Sequence, residues 1–493
     1  MSQSKGRAAD RRTFLKDAAL AAVATGGFNS GLGWLSGLFA QPASASAASP
    51  AVRETQGLRP FNMICLGDSV MWGQGLRESS KFSSQVKDWL QREMPGRPIN
   101  RFVFARSGAT IAPASDVPDE SAVQAWMNNR ALGEVPCSWP WIQRQVSIAR
   151  DNLASQQGIA QDWVDLVLLD GGINDVGVTT LLDPNPFGSI DAQAIRGLAI
   201  QRCGDAIRSL LPQVRRTFPN AKILVTGYFP IVSEESDLTA IGALLAVLFT
   251  PGAFLLGYPL RNRLAQQSSA WYEASNAQLK LAVAGINLKQ RHIMYHTHPA
   301  AFAQIPWGPR NSYACPDSYL WLVGVPVDEV WDSRQAACRA AGVELRPTCT
   351  DAKMGHPNPA GANVYASACI AQLRQYLPEW RGEKMMSACV EMDPMPAVGT
   401  ATTLTVHATE RGTSGTAVPG TVRVGKASFS TDTPVPLSLC TQKTLSTVDP
   451  SGGTRGTPLK ETDTLTVCTP MTVSAPGYVD VVIENYLSAQ LIP

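Results

Sequence analysis

Between about residues 60 and 380, short apolar runs alternate with longer stretches whose apolar residues recur every three or four positions. The runs at 62–66, 101–105, 166–169, 223–226 and 292–295 predict strands, and the stretches near 80–93, 141–154, 191–217 and 262–285 predict amphipathic helices. Strands alternating with helices argue for a three-layer α/β/α domain around a mainly parallel sheet. Ligands of such a sheet bind at the carboxyl ends of its strands.

After about residue 390 the helical period disappears. Thr, Val, Pro, Gly and Ser dominate, and runs at 402–406, 420–424, 464–467 and 478–483 alternate in period two. This pattern predicts a small all-β, immunoglobulin-like sandwich over 397–493, with a linker at 385–396. One further stretch, 238–260 (LTAIGALLAVLFTPGAFLLGYPL), carries no charge. Its length would span a bilayer. Because it lies between strands of one sheet, spanning would split that sheet across a membrane. It reads either as a buried helical pair broken at Pro251-Gly252 or as an apolar wall or lid beside a site.

The first residues follow another logic. Arg11-Arg12-Thr13-Phe14-Leu15-Lys16 precedes a weakly apolar run and a crowd of small residues at 43–49, with Ala-x-Ala options near Ala45 and Ala47. Residues 1–47 thus resemble a twin-arginine export signal, which implies a twin-arginine translocase as export partner and a periplasmic or secreted destination. That segment carries five basic residues against Asp10 and Asp17. It therefore holds +3 where the whole 493-residue chain is +2, and the remainder is near −1. A near-neutral remainder excludes the basic footprint of a nucleic-acid binder. All ten cysteines lie in the remainder, a number compatible with disulfides in an exported protein. Cys440 and Cys468 are expected to pair with each other, bridges would steady the stretch holding Cys315, Cys338 and Cys349, and Cys65 inside the first strand is expected to be a buried thiol. No Cys-x-x-Cys spacing occurs, so no structural metal is expected, and no cofactor motif is present.

The chemistry concentrates at predicted strand ends. The first strand runs into Gly67-Asp68-Ser69, the second into Ser107-Gly108, the third into Asp170-Gly171-Gly172-Ile173-Asn174-Asp175, and Asp351-Ala352-Lys353-Met354-Gly355-His356-Pro357-Asn358 precedes the last helical pattern. Each alone reads as a turn or a cap. Four in this order resemble the blocks of the SGNH (GDSL) hydrolase family, over a domain placed at 58–384. The resemblance implies a flavodoxin-like fold and a serine esterase or lipase with no cofactor. It makes Ser69 the nucleophile and His356 the base. It makes the backbone N–H groups of Ser69 and Gly108 and the amide of Asn174 the oxyanion donors. These types suit the task, because a serine hydroxyl needs an adjacent base and a developing oxyanion needs uncharged, prearranged donors. Asp68 and Asp175 read as turn or cap residues.

The chain departs from the family at one point. The family commonly has an acid three residues before the histidine, where this chain has Lys353. Either Asp351 reaches His356 across a bulged loop, the option slightly favoured, or a backbone carbonyl near Lys353 orients the imidazole. Trp72, Leu245, Leu248 and Phe249 are candidates to line the substrate site. His292, His296 and His298 cluster near a strand end, where ordinary polar contacts are favoured over metal. Three functions compete. The leading one is cleavage of lipid or other acyl esters, phospholipids included. The second is deacetylation of a polysaccharide, with the β region as a glycan-binding module. The third is a non-catalytic surface binding protein, for which Lys353 is the only support. A fluorophosphonate probe separates the last from the first two.

Overall fold

The most apolar runs of the sequence become strands buried on both faces. In β1 (Phe61–Leu66) every side chain is buried; β2 (Ile99–Val103) lies at the sheet edge and is largely half-buried. β3 (Val164–Leu169) and β4 (Lys222–Thr226) are again buried throughout, as strands covered by helices on both sides must be. Even Lys222 is tolerated in β4, because its ammonium meets Glu379 at 2.9 Å. β5 (Ala300–Ala303) closes the other edge. The computed structural model describes residues 59–113, 134, 138–185, 188–249, 257–288, 299–324, 326–340 and 347–382, and beyond these, between 386 and 489, chiefly strands.

All five strands are parallel, in the order β2-β1-β3-β4-β5. The chain leaves β1 to one side for β2 and returns on the other side for β3. That switch opens a crevice at the carboxyl end of β1, the standard ligand position in this flavodoxin-like arrangement. A one-turn helix, α1 (Ser69–Trp72), begins there. Helix α2 (Phe82–Glu93) packs against a helix near the end of the sheet-bearing region, Pro359–Leu373, while α3 (Ile142–Gln157) packs with Asp205–Thr217, so the sheet lies between two helical layers. The helical stretch expected at 191–217 forms, but a π-helical turn at Ala199–Gly204 interrupts it.

The strand expected at 292–295 lies outside the described residues, as do His292, His296, His298 and the export segment 1–47. The edge strand seen is β5, whose sequence Ala-Ala-Phe-Ala carries little strand propensity and owes its pairing to β4. The uncharged stretch forms a capped helix, Leu238–Leu248, whose first turn is closed by Asp237 Oδ1 accepting from Ala240 N at 2.9 Å. Residues 250–256 lie outside the description, and a long helix, Gly257–Leu288, follows. No helix among the described residues is long and apolar enough to cross a membrane.

Beyond 386 the described strands are antiparallel. β6 (Met386–Asp393), β7 (Thr403–Glu410) and β10 (Pro434–Pro436) make one sheet; β8 (Thr421–Val424), β9 (Ala427–Ser430), β13 (Met471–Ser474) and β14 (Val481–Ile483) make a second. β11 (Cys440–Thr444), β12 (Thr464–Cys468) and β15 (Leu487–Ala489) make a third. Alternate residues of β8 and β13 are buried, as period-two patterning requires. Val406 and Val435 of the first sheet and Val422 and Val473 of the second share one buried cluster. The stretch expected as a linker is mostly β6, paired along its whole length with β7. The backbone register sets Cys440 opposite Cys468. Of the central cysteines, Cys338 is bonded to Cys349, while Cys315 and Cys65 are free buried thiols.

Candidate active site

The Ser69 turn is built from the sheet outwards. β1 stops at Gly67, whose φ of +154° lies outside the range most side chains adopt; a Cβ there would come within 1.8 Å of Asp170 Oδ1. Gly67 N donates to Gln145 Oε1 at 2.8 Å, and Gln145 Nε2 donates back to Gly67 O at 2.9 Å. Asp68 is the N-cap of α1, with Oδ1 accepting from Val70 N at 2.9 Å. Ser69 is therefore the first helical residue, and its N–H belongs to the amides a helix leaves unpaired at its start. Gly73 (φ +76°) ends the turn.

His356 reaches Ser69 from a loop 287 positions away. Its Nε2 lies 2.8 Å from Ser69 Oγ, and its Nδ1 lies 3.1 Å from the carbonyl of Lys353. A carbonyl only accepts, so Nδ1 carries the hydrogen and Nε2 is free to accept from the serine hydroxyl. The loop is docked on the segment before it. Trp321 N donates to His356 O at 2.9 Å, and Gly355 N donates to Trp321 O at 3.0 Å. Burial pushes the imidazole down to about 4, against the opposing pull of backbone bonds at Lys353 and Met354. The base form is thus the resting form.

Asp351 makes no hydrogen bond to the ring among the described residues. Its Oδ1 accepts from Gly324 N at 3.1 Å and its Oδ2 from Thr350 Oγ1 at 2.8 Å. The turn that carries His356 N back to Lys353 O at 2.9 Å sets that same carbonyl beneath Nδ1, which leaves the carboxylate no place there.

The expected oxyanion donors sit on the neighbouring strand ends. Gly108 (φ +82°) lies in the loop after β2, which hangs on β1 through Arg106 N donating to Gly67 O at 3.0 Å. Asn174 lies on the one-turn helix Ile173–Val176 after β3, and its Nδ2 donates to Ala109 O at 3.0 Å. An amide has two N–H groups, so this bond orients Asn174 and leaves it one donor. Asp175 accepts from Ile111 N of the adjoining loop at 3.1 and 3.0 Å; burial raises its carboxyl to about 7.

Sequence reasoning missed the polar layer beneath. Tyr228, just past β4, donates its hydroxyl to Asp68 Oδ2 at 2.7 Å and accepts from Ile173 N at 3.3 Å. One buried hydroxyl thereby links the residue before Ser69 to the residue before Asn174. Asp170 Oδ1 accepts from Asp68 N at 2.8 Å, while its buried Oδ2 has no partner among the described residues. Burial raises Asp68 to about 6; burial, then the charge of Asp68, raises Asp170 well above the usual carboxylate range. An uncharged Asp170 fits these surroundings. A tyrosine at the end of an apolar strand was the only trace of Tyr228 in the sequence.

Of the expected substrate-lining residues, one lies in the core and three are half-buried. Leu245 is fully buried in the core of the α/β unit. Trp72, the last residue of α1, gives its indole N–H to Glu134 Oε1 at 2.8 Å and its ring face to the Lys81 ammonium at 4.1 Å. Leu248 and Phe249 are half-buried against the same core. Glu134 also faces a fully buried Arg334 at 3.5 Å, and Arg334 forks onto Asp328 at 2.9 and 2.5 Å. Arg334 Nε donates to Cys349 O at 2.8 Å, beside the Cys338–Cys349 bridge. No group of three or more His, Cys, Asp or Glu able to hold a metal occurs among the described residues.

No family model matches the chain, and no curated protein matches it. Solved structures of similar fold include an extracellular lipase from Streptomyces rimosus (15% identity, 63% of this chain and 99% of that chain, TM-score 0.37). Phospholipase A1 from Streptomyces albidoflavus NA297 is another (16%, 64% and 99%, TM-score 0.36). A family two carbohydrate esterase from Clostridium thermocellum, solved with cellohexaose, is a third (12%, 67% and 67%, TM-score 0.31).

Proposed function

We propose that this chain is an exported serine hydrolase that cleaves carboxylic esters of lipase, esterase or phospholipase type through an acyl-enzyme on Ser69. The observation that carries the proposal is the 2.8 Å contact between Ser69 Oγ and His356 Nε2, with Nδ1 engaged by a carbonyl. His356 Nε2 takes the hydroxyl proton as Oγ attacks the ester carbonyl carbon. The carbonyl oxygen becomes an oxyanion, received by Ser69 N–H, Gly108 N–H and the remaining N–H of Asn174. Such donors contribute about 3–4 kcal/mol each. The tetrahedral adduct collapses and the alcohol leaves with the proton now on Nε2. Water then attacks the acyl-enzyme, giving its proton to Nε2, and the acid is released with Ser69 restored. The carbonyl of Lys353 fixes the tautomer throughout, which is the essential task of the third member of such a set.

In this proposal residues 1–47 direct export through the twin-arginine translocase, residues 58–384 form the hydrolase unit, and the antiparallel strands after Met386 form an appended immunoglobulin-like module. The test is a substrate panel: p-nitrophenyl esters from acetate to palmitate, a phosphatidylcholine and an acetylated glycan, with wild type and Ser69→Ala. The expected result is loss of about 10⁵–10⁶ in kcat for Ser69→Ala, with fluorophosphonate labelling of the wild type at Ser69 only. Wild-type rates in Ser69→Ala would end the proposal. Preference for the acetylated glycan over every acyl chain would move the function to polysaccharide deacetylation.

A further inference from the structure

We propose that Lys353 is the positioning residue for His356, its side chain holding its own main-chain carbonyl against Nδ1; this rests on the Ser69–His356 reading above. In the family pattern that the chain resembles, an acid occupies this position. A carboxylate orients a histidine with its side chain. A carbonyl does so only if its peptide is prevented from turning. The neighbourhood is otherwise soft, because Gly355 (φ +72°) precedes His356 and Gly324 (φ +72°) lies in the facing segment, both with the freedom of glycine.

Lys353 removes that freedom. The residue is 1% exposed, unusual for lysine. Its Nζ donates to Gly324 O at 2.9 Å and to Pro326 O, and sits 5.3 Å from the Trp321 ring. Bonds from an ammonium are stronger than neutral ones, and a buried ammonium held by carbonyls has no cheaper alternative. The same facing segment takes the rest of the loop: Gly324 N donates to Asp351, and Trp321 pairs with Gly355 and His356. The stem of Lys353 also touches the nucleophile side. A Cβ placed on Gly75 would meet Lys353 Cβ at 2.9 Å. One residue therefore contacts the loop that follows α1 and offers its carbonyl to the base. Lys353 acts through His356, with no part in bond making.

The experiment compares wild type, K353M, which keeps the length and loses the donor, and K353R, which restores a donor. The expected result is a fall of about 10- to 100-fold in kcat for K353M, as for a base misplaced by about an ångström, with KM within about twofold. Loss of the hydrogen-bonded His356 Nδ1–H resonance in proton spectra, and recovery of most of kcat in K353R, should accompany it. Wild-type kcat in K353M, or a loss matched by the fraction unfolded with the Nδ1–H resonance intact, overturns the proposal. Should K353M fail to fold, K353R and K353Q carry the test: kcat falling from wild type to K353R to K353Q supports it, and equal kcat in all three overturns it. Failure of the underlying reading has a separate signature, turnover in Ser69→Ala.

Discussion

Ser69 and His356 stand 2.8 Å apart, yet the loops that bring them together are held by different physics. The Ser69 turn grows directly from a buried strand. Its neighbours are strand ends of the same sheet, and buried carboxyls and one hydroxyl join it to them: Asp68, Asp170 and Tyr228. Among the described residues, the His356 loop touches no strand of the parallel sheet through its own hydrogen bonds. It is suspended on the segment around Trp321–Pro326, with a buried lysine, a buried arginine forked onto Asp328 and a disulfide behind it. The first arrangement inherits its rigidity from the sheet. The second assembles its own from ionic and covalent links, which fail separately. Damage to the two loops should accordingly look different.

The largest effect is expected at Arg334. Arg334→Met leaves Asp328 buried without the guanidinium that forks onto it and takes from Glu134 one of its two neighbouring cations, a change that destabilises by about 3–5 kcal/mol. Denaturant titration checks it; a loss under about 1 kcal/mol would mean the network does not support the His356 side. Tyr228→Phe probes the other side with a smaller change. It removes one hydroxyl between Asp68 and Ile173, leaves both buried partners short, and should destabilise by about 1.5–3 kcal/mol. Because that hydroxyl joins the Ser69 and Asn174 turns, kcat should fall by about tenfold with KM nearly constant; an unchanged kcat in folded protein would reduce Tyr228 to a stability element.

The pH dependence separates the loops again. His356 is depressed to about 4, so the neutral base persists above that, and the acid limb of kcat/KM should lie near 4 instead of near the ordinary ~6.5. The folded state keeps His356 unprotonated where the unfolded chain would bind a proton, so its contribution to stability grows as pH rises from about 4 to about 6.5. Asp68, raised to about 6, and Asp175, raised to about 7, act with opposite sign. They bind protons the unfolded chain has released, and their contribution declines as pH rises from about 4 through 6 to 7. A pH–rate profile with its acid limb at 6.5 would show His356 to be more open to water than the structure has it. The smallest effect belongs to Asp351→Asn, which keeps an acceptor for Gly324 N, removes the charge and exchanges the Oδ2 acceptor of Thr350 Oγ1 for an amide N–H. Turnover should stay within about threefold; a loss approaching ~10⁴ would return the orienting task to the carboxylate.

How much was legible follows the same division. The four apolar runs that became β1 to β4 announced themselves by composition, whereas Ser69, Gly108 and Asn174 were legible only through the resemblance of four short blocks, in order, to a known family. Asp68 and Asp175 read as turn or cap residues; Asp68 is a helix N-cap, while Asp175 lies within a one-turn helix and accepts from Ile111 N of a loop distant in sequence. The fifth strand was missed because alanine carries no strand signal, and β6 was missed because a Met- and Pro-rich stretch resembles a linker until β7 pairs with it. Asp351 was slightly favoured as the acid because it was the nearest one in sequence. Nothing in a linear pattern tells that Gly324 and Thr350 have already claimed its two oxygens.

By itself, then, the sequence determined the parallel α/β architecture, because hydrophobic periodicity is a local property of the chain, and it offered the proposed nucleophile, base and oxyanion donors through a resemblance of four short blocks to a known family. Only the tertiary structure decided that a carbonyl in place of a carboxylate meets His356, that Tyr228 joins two turns, and that Lys353 and Arg334 lie buried with partners. Those outcomes depend on which polar groups remain unpaired once distant segments have packed, and burial makes each such pairing obligatory.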